Sequence, residues 1–596
     1  MSFESIPHRL REQGKQIPTV LALAVKKGGE WKQSNFGEYA SLVRRAGKAL
    51  QGLGLSKGNT VAILGFNRPE WVIVDVAAMS IGGAPAGIYT TSSPEECRYI
   101  IGHAESPLVL VENVAQLQKI QAVWDKLPQL KYAVLMEGSD APAGDARVLS
   151  WDAFLKKGDE GKDEAFDKAI DALDPQALAT LIYTSGTTGP PKGVMLSHQN
   201  LAWTASAAKE LVAGIGGDRS LSYLPLSHIA EQMFSVHGPI SMGSSVYFAE
   251  SIDKVADNLK EVEPTIFFGV PRIWEKMHAG ISAKMRLATG FKKMLLERAR
   301  ANGTKASAAK GTGTSLGFLD GLLYGLFNKL VFTKLKKAIG LGAARVCVSG
   351  AAPIGRDVLE FFASLDLQIL EVYGQSEDTG PTSFNQPGRT KIGTVGPAVP
   401  GVEVKIAEDG EILVKGPNVF LGYYKEPEAT AEALRDGWLC SGDLGEFDAQ
   451  GFLKITGRKK EIIITAGGKN ISPKNIEEAI KANRIVAEVV VIGDRRKFLS
   501  ALVALDQEAV VAWSTEQNLG ETDFAKLRSH QAVLDEVQRA VDVANADLAQ
   551  VEKIKKFTIL PRALAIDTGE LTPTLKVKRK IVNQNFAPQI EAMYTE

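Results

Sequence analysis

Residues 181–198 read LIYTSGTTGPPKGVMLSH, an apolar run that gives way to small hydroxyl-bearing residues, glycines and a lysine. Those residue types suit a polyphosphate. Gly186 and Gly189 let a backbone come close to an anion. Backbone N–H groups, with the hydroxyls of Ser185, Thr187 and Thr188, supply donors to phosphate oxygens, and Lys192 adds positive charge. The stretch is not a Walker loop. Counted from Gly186, Pro191 stands where that motif needs its second glycine, and Gly193 follows Lys192 where it needs Ser or Thr. SGTTG alone would read as a turn-rich surface loop; the strand-like LATLIYT before it and the basic end after it favour the phosphate site.

A rigid scaffold must deliver such a loop. From about residue 60, short apolar runs alternate with helical patterns: VAILG at 61–65, EWVIVDVAAMSIG at 70–82 and PLVLVE at 107–112. The rhythm continues through ALATLIYT, IFFGVPRIWEKM and ARVCVSG to roughly residue 400, and predicts parallel strands with crossover helices. GVEVKIAEDGEILVKGPNVFLGYY then alternates with turn signals, as an antiparallel β subdomain would. After GRKKEIIITAGGKNISP, a helix from about residue 474, the strands AEVVVIGD and LSALVALD, and a polar helical stretch near 523–549 predict a compact α+β unit. The expected fold class is therefore α/β: a large layered domain over residues 1–457, including the antiparallel subdomain, and a small α+β domain over 458–596. A chain of 596 residues exceeds the usual size of a single core.

Equal numbers of basic and acidic residues, 69 of each, give no sign of a nucleic-acid partner. Cys97, Cys347 and Cys440 are far apart with no CxxC pair, which argues against a disulfide framework or a structural zinc site and fits a reducing cytosol. The amino terminus MSFESIPHRLREQGKQIP is too polar for a secretory signal, and no uncharged apolar run reaches spanning length, so a cytoplasmic location is expected. The segment SAAKGTGTSLGFLDGLLYGLFNKLVFTKLKKAIG, residues 307–340, admits two readings. The preferred one is a buried or subunit-covering helix whose lysines suit its carboxyl end. The other is an amphipathic helix in peripheral contact with a membrane. Oligomeric state stays open.

YTSGTTGPPKGV resembles the signature of the adenylate-forming enzymes, which include acyl-CoA synthetases, luciferases and the adenylation domains of peptide synthetases. Further motifs follow in that family's order: PLSHIAEQ at 225–232, SGAAPI at 349–354, EVYGQSEDTG at 371–380, GWLCSGDLG at 437–445, TGRKKEIIITAGGKNISP at 456–473 and LTPTLKVKR at 571–579. The resemblance implies ATP, Mg2+ and CoA as reactants and cofactor: a carboxylate attacks the α-phosphate of ATP, pyrophosphate leaves, and a thiol then displaces AMP.

It also implies roles, carried over position by position. Thr184, Ser185, Gly186, Thr187, Thr188, Gly189 and Lys192 would hold phosphates. Tyr373 would stack on adenine, with Gly350, Ala351, Ala352 and Pro353 on the other side, and Gly374 would follow in the same motif. Ser376, where the family usually has threonine, keeps the hydroxyl for the α-phosphate or the acyl carboxylate, and Glu377 is the expected magnesium ligand. Asp443 and Arg458 would contact the ribose. His228 would lie beside the acyl group, or be a satisfied core histidine; Lys460 would be the hinge, or a solvated charge in RKKE. Gly467 and Gly468 would face the CoA pantetheine tunnel. The last motif lacks the family's Ser-Gly-Lys glycine. Setting Thr574-Leu575-Lys576 on it makes Lys576 the catalytic lysine and brings Arg579 onto the family's arginine, with Lys578 the alternative.

LTPTLKVKR, VPRIWEKM with the long insertion after it, and GGKNISPKNIE resemble long-chain fatty acyl-CoA synthetases more than acetyl, aryl or amino-acid activating relatives. The implied reaction is ATP-dependent ligation of a long-chain fatty acid to CoA. An adenylate-forming ligase that passes the acyl group to a carrier protein is the alternative.

Overall fold

The computed structural model describes residues 3–138, 144–184, 190–466, 469–546, 548–572 and 576–595. Leu178–Thr184 pairs antiparallel with Lys192–Ser197, so that Thr184 stands opposite Lys192 at the loop end of a hairpin. Ser185, Gly186, Thr187, Thr188 and Gly189, expected to bind phosphate, lie outside the described residues. The hairpin belongs to an eight-stranded sheet in the order Gly422–Tyr423, Lys192–Ser197, Leu178–Thr184, Ala84–Ile88, Thr60–Leu64, Leu108–Val111, Tyr132–Leu135, Val148–Leu149. From Leu178–Thr184 onward every neighbouring pair is parallel, as the apolar rhythm predicts. Thr60–Leu64 and Leu108–Val111 are buried throughout, and so is almost the whole Pro69–Ser80 helix packed on the sheet, which explains their unbroken apolar runs. Lys192–Ser197 departs from the parallel rule because a short link allows only a hairpin.

A second sheet sets Ile266–Gly269, Val346–Ser349 and Ile369–Tyr373 parallel, with Ser383–Phe384 antiparallel at its edge. The ends of its two inner strands deliver Gly350–Pro353 and Gly374–Glu377. A third sheet joins Arg219–Ser222 and Ser245–Phe248 to an early hairpin, Leu21–Lys27 with Glu30–Asn35, which a reading begun at residue 60 misses. Its signal was present: Gly28 and Gly29 both take positive φ in a two-residue turn. The predicted antiparallel subdomain is there, built from Glu403–Ile406, Glu411–Lys415, Leu434–Arg435, Trp438–Phe447 and Leu453–Arg458.

The smaller α+β domain sets Val486–Ile492, Leu499–Leu505 and Ile554–Ile559 in one sheet. Its own core includes Ile476, Ile480, Val489, Leu499, Trp513 and Val537. Residues 290–338 form the helices Gly290–Thr312, Phe318–Phe327 and Thr333–Ala338, the last two joined by a π-helical turn. Of the preferred expectation of a buried or subunit-covering helix, burial within this chain is corrected by the structure: most of the apolar side chains of Phe318–Phe327 face outward. No helix among the described residues is long and apolar enough to cross a membrane.

Candidate active site

Strand register makes the first contact. Asp443 lies opposite Arg458 on the neighbouring strand, and Arg458 Nε donates to Asp443 Oδ1 at 2.9 Å. The carboxylate raises the guanidinium pKa above its ordinary value. Asp443 Oδ2 accepts from the Tyr373 hydroxyl at 2.9 Å, and burial, reinforced by Asp443, raises that phenol well above the usual range. An ionised carboxylate has about four acceptor sites, so Asp443 keeps capacity for sugar hydroxyls with both bonds in place.

Past Tyr373 the chain turns within van der Waals reach of itself. A Cβ on Gly374 would lie 1.4 Å from the Gly380 carbonyl oxygen, so only glycine fits. Buried Asp378 accepts from Gln375 N at 2.7 Å and from the Thr382 hydroxyl, and burial pushes its carboxyl up to about 8. This closed turn holds Ser376, itself buried, and Glu377. Glu377 Oε1 accepts from the Tyr423 hydroxyl at 2.8 Å. No donor among the described residues reaches Oε2. Tyr423 also turns its ring to Lys192, whose Nζ lies 4.9 Å from the centroid and 3.8 Å from Glu426 Oε2. Gly422–Tyr423 pairs with the Lys192 strand, which brings the tyrosine into place.

Gly350–Pro353 follows the strand beside Tyr373. A Cβ on Gly350 would stand 2.5 Å from Val372 Cγ1, and Ala351 adopts φ 66°, a strained conformation for a residue with a Cβ. Ala352 is exposed and Pro353 half-buried.

The smaller domain contributes Lys576. Thr572 N donates to the Lys576 carbonyl at 2.8 Å, and Lys576 N donates to Thr572 Oγ1 at 3.0 Å. Thr574 and Leu575, which set the register of the motif, lie outside the described residues. Burial pushes the Lys576 ammonium down to about 8, helped by Arg458 and Lys474 and opposed by Asp443 and Glu377. Those are the groups of the cleft, so the domains meet with Lys576 among them. Lys578, the alternative, precedes the Arg579–Asn585 helix, and Arg579 pairs with Glu477 inside the small domain.

His228 borders a cavity whose empty space, open mouth included, is about 990 Å³. Ala351, Gly374 and Gln375 line it too, and Met233, Phe234, Phe268 and Val348 give it an apolar wall. His228 Nδ1 accepts from Ala230 N at 3.2 Å, and burial, with Lys576 nearby, pushes the imidazole down to about 4, so the ring is neutral at pH 7. Behind it, buried Glu231 accepts from Ser222 and Ser235, each at 2.6 Å, and burial pushes its carboxyl up to about 7.

Lys460 is exposed in the turn Lys459–Glu461 that links the two domains, and forms no ion pair among the described residues. Its neighbour Lys459 is fastened to Asp409 at 2.6 Å and Glu411 at 2.7 Å. Gly467 and Gly468 lie outside the described residues. The structure thus brings Lys192, Tyr373, Glu377, Asp443, Arg458, Lys576 and His228 around one cleft. Sequence reasoning missed Tyr423, Asp378 and Lys474. Tyr423 lay in FLGYY, read only as strand; Asp378 and Lys474 lay within the quoted motifs EVYGQSEDTG and GGKNISPKNIE without being singled out.

The large mixed α/β domain gathers Lys192, Tyr373, Glu377, Asp443 and Arg458 at one cleft, and the small domain sets Lys576 near them, the arrangement of a two-domain enzyme. The chain belongs to the AMP-binding enzyme family: that family's profile matches residues 10–424, and the profile of the AMP-binding enzyme C-terminal domain matches residues 460–596. It is 40% identical to the long-chain-fatty-acid–CoA ligase ACSBG2 of Xenopus laevis, over 97% of this chain and 82% of that protein. It is 37% identical to the long-chain-fatty-acid–CoA ligase FadD15 of Mycobacterium bovis, over 95% and 93%. Among solved structures it resembles the A domain of carboxylic acid reductase from Segniliparus rugosus in complex with AMP and a co-purified carboxylic acid. The TM-score is 0.75 at 20% identity, covering 100% of this chain and 94% of that one, a likeness of fold.

Proposed function

We propose that the chain joins a long-chain fatty acid to CoA at the expense of ATP. In the first half-reaction a carboxylate oxygen attacks the α-phosphate and its bond to pyrophosphate breaks. In the second, the CoA sulfur attacks the acyl carbon, the bond to AMP breaks, and the thiol proton is released. The carrying observation is the convergence of Lys576 with Glu377, Asp443 and Arg458 beside an apolar cavity. Two anions must approach each other in the first step, and preorganised cations are what lower that barrier.

Lys192 would bind the outer phosphates and move off Tyr423 to do so. Asp443 and Arg458 would hold the ribose, Tyr373 and Gly350–Pro353 would border the adenine, and Ser376 would donate to the α-phosphate or the acyl carboxylate. Glu377 suits Mg2+, because its Oε2 meets no donor among the described residues and a hard carboxylate favours such an ion; bound there with the phosphates, the ion would neutralise gathering negative charge. Lys576 would serve the first half-reaction, and rotation about Lys460 would then withdraw it and bring the segment around Gly467 and Gly468 to the pantetheine. The boundary between the moving parts would fall near residues 457–458, where the Leu453–Arg458 strand ends.

Neutral His228 and the apolar wall favour an uncharged chain over an amino acid. Each buried methylene contributes about 0.8 kcal/mol, so such a wall can select a long acid. The test is a series from acetate to oleate, scoring AMP and acyl-CoA together. Turnover rising with chain length and equimolar products support the proposal. Best turnover with acetate, or AMP without acyl-CoA while acyl carrier protein is loaded, overturns it.

A further inference from the structure

Residues 318–338 form one helical rod on the outside of the large domain, and its two sides differ sharply. Tyr324, Phe327, Val331, Phe332 and Leu335 turn inward; Phe327 and Phe332 are 6% and 0% exposed and pack with Ala299 of the preceding helix. The outward side carries Phe318 at 87%, Leu319 at 73%, Leu322 at 68%, Leu323 at 43%, Leu326 at 52% and Leu330 at 43% exposure. Scattered exposed leucines are ordinary, but six apolar side chains over four turns of one rod form a contiguous apolar face.

What surrounds that face says what covers it. Residues 287–340 hold ten Lys and Arg against two acids, Glu297 and Asp320. Asp320 is already taken by Lys305 at 3.0 Å. Past Leu330 the outward side continues into Lys334 and Lys337, both exposed and neither in an ion pair among the described residues. A long apolar stripe with lysines at its end and margins matches a surface that is greasy inside and anionic at its edge. The rod carries Asp320 and four lysines, and no helix among the described residues is long and apolar enough to span a bilayer, so it would lie on one.

We propose that the outward face of residues 318–338 docks the protein on an anionic membrane surface, its leucines and phenylalanine entering the acyl region and Lys334 and Lys337 meeting lipid phosphates. The favoured occupant is lipid and not a second copy of the chain. Two copies meeting through this face would bring their lysine-rich margins together, with Asp320 already paired and Glu297 the one other acid of residues 287–340.

The test is co-sedimentation of the full chain with vesicles of phosphatidylcholine alone or mixed with phosphatidylglycerol, beside light scattering without lipid. Leu322→Ser/Leu326→Ser removes apolar contact and Lys334→Glu/Lys337→Glu reverses charge; all four side chains are exposed, so both variants should fold and keep their activity on acid supplied in solution. Binding to the mixed vesicles that weakens with salt, and that each double variant weakens about tenfold or more, is expected. Absence of binding by the intact chain, equal binding by Leu322→Ser/Leu326→Ser, or equal binding to phosphatidylcholine alone overturns the proposal. A dimer that the leucine variant dissociates, with no vesicle binding, also overturns it and assigns the face to a second copy.

Discussion

Asp443 and Arg458 face each other across adjacent antiparallel strands, and the guanidinium Nε donates to the carboxylate at 2.9 Å. Their separation in sequence is that of a hairpin, so the register of two strands fixes a contact that the nucleotide would use. Arg458→Met should leave Asp443 held by Tyr373 alone. A hydrogen bond to a charged group contributes roughly 1.5–3 kcal/mol, so the KM for ATP should rise about 10- to 100-fold with the KM for fatty acid nearly unchanged. Steady-state kinetics with each substrate varied in turn checks this; an unchanged KM for ATP would count against a nucleotide role for the pair.

Lys576→Ala should slow adenylation by roughly 10²- to 10³-fold, the order expected when one preorganised transition-state contact is lost. Thioester formation from supplied acyl-adenylate should largely survive, because that half-reaction would withdraw the lysine. Separate single-turnover assays of the two halves measure this. Equal losses in both would point to Lys578 or to a structural role.

The lowered ammonium of Lys576 carries a pH signature. Its charge is present below about 8 and is lost as pH rises through that value, so kcat/KM for adenylation should fall along an alkaline limb centred near pH 8. Arginine stays charged far above that range, so Lys576→Arg should abolish the limb even if its rate is low. A limb unchanged in the arginine variant would assign it to another group.

Tyr423 holds Glu377 by its hydroxyl and Lys192 by its ring, and two substitutions separate the contacts. Tyr423→Phe keeps the ring and should weaken Mg2+ dependence about tenfold while leaving ATP affinity measured without metal unchanged. Tyr423→Leu should weaken both. Fluorescence titration with nucleotide, with and without Mg2+, distinguishes them; identical behaviour of the two variants would make Tyr423 merely a packing residue.

Much of this was legible in the sequence for identifiable reasons. Apolar runs such as VAILG and PLVLVE showed the buried parallel strands because both faces of those strands are covered. The motif order placed Asp443, Glu377 and Lys576 in a single series. Contacts made by side chains far apart in sequence were not legible: nothing in FLGYY says that Tyr423 reaches Glu377, 46 residues away. Exposure of the Phe318–Phe327 helix was equally hidden, because a hydrophobic run reads the same whether it faces protein or lipid.

The most direct test of the proposed reaction is ATP–pyrophosphate exchange with labelled pyrophosphate in the absence of CoA. Exchange that requires palmitate and Mg2+, and that Glu377→Gln and Lys576→Ala each reduce by about 10²-fold or more, is predicted. Exchange without any fatty acid, or none with it while the same protein binds ATP, would contradict adenylate formation at this cleft.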